Sequence, residues 1–325
     1  MKNYLKDIQI GNVNIKNNIF LAPMAGVTDL IFREICKDHG AAMCYTELIS
    51  AQGLLYASEK THMLTTTSPK ERPVVLQLFG NDPNIISEAA KKIEDQPFDI
   101  LDINMGCPAP KIVNNGSGSG LMNDPALVGR IVKAVSSAIS KPVTVKIRKG
   151  INDKINAVEV AKQAEDNGAQ AVTVHGRTRE QQYEGVVDLD IIRQVKEALS
   201  VPVFASGDVV DVASCIRSFE TTGCDAVMIG RGTYGNPWIF SQLIHYFTTG
   251  EHLPDPTPQE KIAMCLLHTK RLCDYKGERV AVREMRKQSG WYIKGITGSA
   301  AMRVEINKAS TYNELEETLT SFISQ

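Results

Sequence analysis

A (β/α)₈ barrel followed by a small all-helical domain is the fold predicted for this chain, and three observations carry the prediction. Short β-branched apolar runs recur eight times with helical patterns between them, as parallel-sheet proteins require. Polar and glycine-rich residues gather where those runs end, the face on which barrels of this kind carry their sites. A segment with three prolines, His252–Pro258 (HLPDPTP), closes the alternation, and only helical patterns follow it. The 325 residues suffice for one barrel of roughly 250 residues plus an appendage.

Strands are expected near Ile19–Pro23, Ala42–Thr46, Val74–Phe79, Ile100–Asn104, Val143–Ile147, Ala171–His175, Val203–Ser206 and Ala226–Ile229. Helices are expected over Asp29–His39, Pro83–Glu94, Pro125–Ile139, Lys154–Asn167, Leu189–Leu199 and Val209–Thr222. Asn-Asp-Pro at 81–83 and again at 123–125 supplies a capping side chain and a proline for the first helical turn, and Asp208 stands ahead of Val209 in the same sense. Gly40 and Gly168 read as helix stops. Eight such units in succession favour a closed TIM barrel over an open doubly wound sheet, although strand counting alone does not separate the two. The barrel is assigned to residues 1–250. A helical domain takes 251–325, with helices over Ala263–Tyr275, Arg279–Gly295 and Ser310–Ile323.

Composition narrows the class. Hydrophobic residues at 43% and charged residues at 22% are ordinary for a globular protein, which argues against disorder. No run of about 18 uncharged apolar residues is present, so no membrane helix is expected. The opening stretch MKNYLKDIQIGNVNIKNN lacks the apolar core of a secretory leader. A cytoplasmic monomer is expected. Seven cysteines without a C-x-x-C pair suit neither a disulfide framework nor a zinc site, and no metal is expected. The net charge of −1 conceals an asymmetry, for Lys261–Lys308 holds 11 Lys and Arg against 4 Asp and Glu. Such a basic module suits a polyanionic partner, and on charge alone it suits a solvated helix surface equally.

The candidate residues lie at successive strand ends: Pro23-Met24-Ala25-Gly26, Gln77, Asn104-Met105-Gly106-Cys107-Pro108, Lys146-Ile147-Arg148, His175-Gly176-Arg177, Ser206-Gly207-Asp208 and Gly230-Arg231-Gly232. Gly207 and Gly230 let the backbone approach an anion, with Arg231 as counter-charge. The bland alternative is that they are turn glycines. Lys146, within Val-Thr-Val-Lys-Ile, either snorkels outward or points in. Pointing in, it places positive charge at the edge of a bound flavin, where negative charge collects on reduction. His175 is either a satisfied core histidine or a ligand contact. For Cys107 a metal lacks ligand partners and a nucleophile lacks an evident base. A general acid needs only a protonated thiol, which an unperturbed pKa of about 8.5 provides. An inert thiol is the fourth reading. Gly116-Ser117-Gly118-Ser119-Gly120 reads as a flexible loop able to carry the cysteine over a substrate.

In their order along the chain these residues resemble the tRNA-dihydrouridine synthases. The segments concerned are Ala22–Asp29 (APMAGVTD), Gln77–Gly80 (QLFG), Asn104–Pro108 (NMGCP), Val143–Lys146 (VTVK), His175–Thr178 (HGRT) and Met228–Gly232 (MIGRG). Arg283–Lys287 (REMRK) with Trp291-Tyr292 and Gly295 further resembles the bacterial B type. The resemblance implies FMN held by Pro23, Met24 and Ala25, with Gln77, Lys146 and His175 around its ring. It places Ser206, Gly207, Asp208, Gly230 and Arg231 on the ribityl chain and phosphate. It makes Cys107 the proton donor and sets Asn104 beside the target uracil. One departure stands out: Ser206 occupies a position where the family usually has asparagine, and serine has a shorter reach.

Two half-reactions are then expected: NADPH (or NADH) reduces FMN, and the reduced flavin passes hydride to uracil C6 while Cys107 protonates C5. A uracil in folded RNA must first be flipped out. Arg177 at the rim and Arg283, Arg286 and Lys287 on the basic domain are expected to contact the tRNA. Two rival readings exist. One is an FMN barrel acting on a small molecule, such as a dihydroorotate dehydrogenase or an ene-reductase. The other is an RNA-binding protein with a degenerate barrel.

Overall fold

A computed structural model describes residues 4–56 and 59–321. Eight parallel strands form its centre: β1 (Ile19–Leu21), β2 (Met43–Ser50), β3 (Val74–Phe79), β4 (Ile100–Met105), β5 (Val143–Ile151), β6 (Val172–Thr178), β7 (Val203–Ser206) and β8 (Ala226–Ile229). Each pairs with the next, β8 pairs with β1, and the ring is closed. The fold is therefore the expected TIM barrel. The outer ring is α1 (Leu30–Asp38), α2 (Ala51–Leu55), α3 (Pro83–Ile93), α4 (Pro125–Ser136), α5 (Ala157–Asp166), α6 (Leu189–Ala198), α7 (Val212–Thr222) and α8 (Ile239–Thr249). Strand residues such as Val143, Val145 and Ile147 pack outward against these helices.

The inward positions, spaced by two along each strand, change character with height. At the N-terminal end they are apolar: Phe20, Met43, Tyr45, Val75, Ile100, Phe204 and Met228 share one cluster. An antiparallel pair, Ile8–Ile10 with Val13–Ile15, seals that end by adding Ile8, Ile10 and Ile15. Towards the C-terminal end the inward positions turn polar, with Gln77, Asp102 and Thr144 in register across β3, β4 and β5. The closed lower half is a floor, so a ligand has only the upper mouth to enter.

Most boundaries follow the sequence. Asp82 and Asp124 cap α3 and α4 ahead of their prolines. Two expectations need correction. The helix expected from Lys154 starts at Ala157, because Lys154–Ile155 folds back as a short strand on the end of β5. The cap of α7 is Asp211, which accepts from Ser214 N in a capping box. Asp208 is instead a left-handed residue (φ +53°) at the barrel mouth. Local propensity did not foretell α2.

Beyond Gly250 (φ +82°), helix resumes with α9 (Pro258–Lys276), α10 (Glu278–Tyr292), α11 (Ser299–Ile306) and α12 (Tyr312–Ser321). Thr257 and Glu260 form the capping box of α9. The C-terminal helix was expected to reach Ile323, which lies outside the described residues. These helices share a second core, including Ile262, Leu272, Met285, Tyr292, Met302 and Leu319, into which Ile31 and Ile35 of α1 insert. Arg33 of α1 is buried against Glu71 at 2.5 Å and also donates to the Thr28 and Thr66 carbonyls. No helix among the described residues is long and apolar enough to cross a membrane.

Candidate active site at the barrel mouth

Where the strands end, the rim encloses a cleft of about 760 Å³. Pro23, Met24 and Ala25 enter it after β1, Asn104 from the end of β4 and Cys107 just after it. Lys146 and His175 enter from β5 and β6, and Ser206, Gly207, Asp208, Gly230 and Arg231 from the ends of β7 and β8. Barrel closure thus brings together residues more than 200 positions apart in the chain.

The electrostatics of the cleft are cationic. Burial first, and then Lys146, Arg148, Arg177 and Arg231, hold the His175 imidazole well below its ordinary pKa, so the ring is neutral. Its Nδ1 is buried and has no hydrogen-bond partner among the described residues. Burial and the neighbouring Arg148 bring the Lys146 ammonium down to about 8, against the pull of Asp102 and Cys107. Lys146 has no ion-pair or hydrogen-bond partner among the described residues. Arg231 donates to Asp208 at 3.0 Å but remains 42% exposed. An unpaired ammonium, an unpaired imidazole nitrogen and a half-free guanidinium on one surface suit an anionic ligand.

Cys107 is half-buried. Burial raises its thiol above the ordinary value, and the Ala109 amide, Arg148 and Lys146 pull it only partly back. The thiol is therefore protonated at neutral pH. Its loop is pinned on three sides. Asn104 Oδ1 accepts from the Gly106 and Cys107 N–H groups at 3.2 and 2.8 Å. Ser119 donates N–H and Oγ–H to the Cys107 carbonyl at 3.1 and 2.9 Å. Arg148 donates to the Gly106 carbonyl at 2.8 Å and to those of Thr178 and Gln182 at 2.7 and 2.9 Å. The glycine-rich stretch is thus no free flap: Ser117, Gly118 and Ser119 are buried beneath the cysteine.

Gln77 alone among the expected cofactor contacts does not face the cleft. It is fully buried, with Nε2 on Asp102 at 2.7 Å and Oε1 accepting from Asn104 at 2.9 Å. A ligand reaches it only if that pair parts. Arg177, expected at the RNA, is also buried. Its guanidinium forks onto Asp208 at 2.9 and 2.6 Å and donates to the carbonyls of Glu184 and Gly185. With those donors committed, it organises the loop after β6 and leaves little for a phosphate. Asp208, expected at the cofactor, has its carboxylate held by Arg177, Arg231 and Val187 N, and sits below the usual carboxylate range.

The C-terminal helices complete the cleft. Trp291 of α10 stacks on Tyr234 after β8, with ring centroids 4.0 Å apart and planes within 9°, and Lys294 lies just beyond it. Gly235 (φ +61°) permits this joint, because a side-chain carbon there would stand 2.4 Å from the Trp291–Tyr292 backbone. Arg283 and Lys287 are exposed two turns and one turn before Trp291, and Lys287 Nζ lies 5.1 Å from its ring. The spacing of four puts Arg283, Lys287 and Trp291 on one face of α10, so a basic stripe runs to the cleft. Arg286 faces elsewhere and holds the Ala309 carbonyl at 3.2 and 2.8 Å. The reading of the sequence missed Tyr183, Tyr234 and Lys294 as cleft residues, since isolated aromatics and lysines carry no local signal.

The dihydrouridine synthase (Dus) family model matches residues 20–325 of this chain. A probable tRNA-dihydrouridine synthase of Rickettsia bellii is 42% identical over 317 residues, covering 97% of this chain and 97% of its own. The tRNA-dihydrouridine synthase B of Pseudomonas aeruginosa is 41% identical over 302 residues, or 93% of this chain and 91% of its own. That of Vibrio parahaemolyticus is 41% identical over 288 residues, 88% and 89% of the two chains. A match of this extent, on a closed barrel with a cationic mouth and a protonated cysteine, shows that the chain belongs to the dihydrouridine synthase family.

Proposed function

We propose that this chain reduces the C5–C6 double bond of uridines in tRNA to 5,6-dihydrouridine, with FMN as its resident cofactor and Cys107 as the proton donor. The observation that carries the reading is the protonated thiol, held on a loop pinned on three sides at the mouth of a cationic cleft. The cleft suits a flavin mononucleotide. Lys146 and the orphaned Nδ1 of His175 offer polar contacts to its ring. Gly207, Gly230 and Arg231 offer a close backbone and a cation to its phosphate. When bound, FMN supplies the hydride added at C6, having received it from NADPH or NADH.

The protein's own part is to bind, orient and protonate. Asn104 and Lys146 border the place where a flipped uracil enters, and the Lys146 ammonium with the remaining N–H of Asn104 Nδ2 suits its O4. As C6 becomes saturated, negative charge gathers at C5 and O4, and Cys107 Sγ gives its proton to C5. The nearby cations then stabilise the thiolate left behind. The stripe from Arg283 through Lys287 to Lys294 takes the flanking phosphates. We place the boundary of this RNA-binding unit at 250/251, where α8 ends and extended chain leads to α9.

The test is anaerobic stopped flow on protein carrying non-covalent FMN, with wild type and Cys107→Ala compared. Flavin reduction by NADPH is expected to stay near wild type in the variant. Reoxidation by unmodified tRNA is expected to fall about 10²–10⁴-fold, the usual worth of one positioned acid. Equal losses in both steps would make Cys107 part of the flavin pocket, and no loss with tRNA would remove it from the mechanism.

A further inference from the structure

Beneath the cleft floor runs a hydrogen-bond chain that the reaction as described leaves unused. It starts at Asp102, which is fully buried on β4. Asp102 Oδ1 accepts from Thr144 Oγ1 at 2.6 Å, and Oδ2 accepts from Gln77 Nε2 at 2.7 Å. Gln77 Oε1 accepts from Asn104 Nδ2 at 2.9 Å. Asn104 Oδ1 then accepts from the backbone N–H of Gly106 and of Cys107. The placement follows from the sheet: Asp102 and Asn104 are two apart on β4 and face inward together. Gln77 and Thr144 are the neighbours of Asp102 in register on β3 and β5.

We propose that Asp102 is a positioning residue for the proton donor: by accepting from Gln77 it orients two successive amides and so holds Asn104 Oδ1 on the Cys107 loop. The inference rests on the reading of Cys107 as that donor. Its core is direction. An ionised carboxylate accepts hydrogen bonds and never donates, whereas a primary amide does both and can be turned round. Facing Asp102, Gln77 must present its NH₂, which leaves its oxygen for Asn104. Asn104 must then give its NH₂ to Gln77, which leaves its oxygen for Cys107 N–H. The far end makes the same demand, because a backbone N–H can only donate. A side chain at 102 that donated to Gln77 would reverse both amides and set an NH₂ against the Cys107 amide.

The surroundings agree. A carboxylate is costly in a barrel interior that an apolar side chain would fill, and this one is met by two hydrogen bonds and the nearby Lys146. Its pKa is nevertheless raised to about 6 by burial, so it remains ionised, and acceptor-only, at neutral pH. Tyr45 is the other titratable group turned towards it, and its hydroxyl is held neutral by burial.

Two substitutions separate a directional role from a merely structural one. Asp102→Asn can still turn its oxygen to Gln77 and its NH₂ to Thr144 Oγ, so the direction survives. Asp102→Leu has a similar volume and accepts nothing. Two readouts are used: the alkylation rate of Cys107 by iodoacetamide, followed by peptide mass spectrometry without RNA, and the two half-reactions.

In Asp102→Leu, Cys107 alkylation is expected to change several-fold. Reoxidation by tRNA should fall by about 10²-fold, the scale of an ångström-sized misplacement, while reduction by NADPH stays within about twofold. Asp102→Asn should lie near wild type on both readouts. If Asp102→Leu does not fold, Asp102→Ala, which is smaller and likewise accepts nothing from Gln77, takes its place, and the same split is expected of it. Equal loss in both half-reactions, or unchanged alkylation with an unchanged tRNA step, overturns the proposal. So does an Asn variant as impaired as Leu. Cys107→Ala, run alongside, keeps the underlying reading separate: if it spares the tRNA step, the proton-donor role fails, while the alkylation rates still judge the hold of Asp102 on the loop.

Discussion

At the scale of single residues, the mouth of the barrel sets protonation states by burial more than by charge pairing. Burial raises the Cys107 thiol, lowers the His175 imidazole and lifts Asp102 to about 6. For Asp102 the consequence for stability has a definite sign. Its folded pKa lies above the unfolded value of 3.8, so the folded state holds the proton more tightly. The stabilising contribution is complete below about 4 and is lost as pH rises through about 6. Two pKa units correspond to on the order of 3 kcal/mol. Asp102→Asn, which has no such proton, should therefore gain on wild type by that order between pH 4 and pH 7, as read from urea unfolding at the two pH values. A constant difference between the two proteins would show that the native hydrogen bonds fully offset the burial of the charge.

Elements place these residues, and the element that matters most is the loop after β4 with the 3₁₀ turn Gly118–Asn123 beneath it. Its glycines were legible in the sequence as freedom, but the structure uses them for close approach. Gly118 has φ +58°, and a side-chain carbon there would stand 2.8 Å from the Cys107 carbonyl oxygen and 2.9 Å from Ile112 Cγ2. Gly118→Ala should cost at least about 1 kcal/mol, since alanine is strained at positive φ. It should also slow reoxidation by tRNA more than reduction by NADPH. Thermal unfolding and the two half-reactions check both parts, and an unshifted midpoint would mean that the turn yields freely. Asp208 shows a related limit on local reading. It looked like a helix cap from its position ahead of an apolar run, yet Arg177, 31 residues away, claims its carboxylate.

For the molecule as a whole, the charge asymmetry becomes a direction. The excess of Lys and Arg over 261–308 is not spread evenly over solvent, because Arg283 and Lys287 are exposed on the α10 face that ends at Trp291 and the cleft. Arg286 is tied to Ala309 instead. The three basic residues that the sequence grouped together should therefore separate in experiment. Arg283→Glu with Lys287→Glu should weaken tRNA binding, lower its salt dependence by roughly 0.7–0.9 per lost contact, and leave the flavin spectrum and melting temperature unchanged. Arg286→Glu should lower the melting temperature, because it strips the Ala309 carbonyl of its donors. Filter binding across a salt series, with thermal melts, measures both. If Arg286→Glu behaves like the other two, its bond to Ala309 is incidental.

The sequence by itself determined the barrel, its eight strands, most helix starts and the rim on which the chemistry gathers. Those features rest on local rules, on periods of two and of 3.6 residues and on caps next to the helices they start. An ordered set of short motifs added the family. Which rim residues face the cleft was decided only by the tertiary structure. Gln77 and Arg177 lie at the same end of the barrel as Lys146 and His175, yet closure of the ring and partners 25–31 residues distant turn them into internal supports. Trp291 and Lys294 enter the site because a glycine after β8 lets α10 approach. The physical reason is the range of the interactions. A helix or strand is specified by neighbours a few positions apart, whereas the commitment of a donor, or the exposure of a charge, depends on groups that only the folded chain brings within 3 Å.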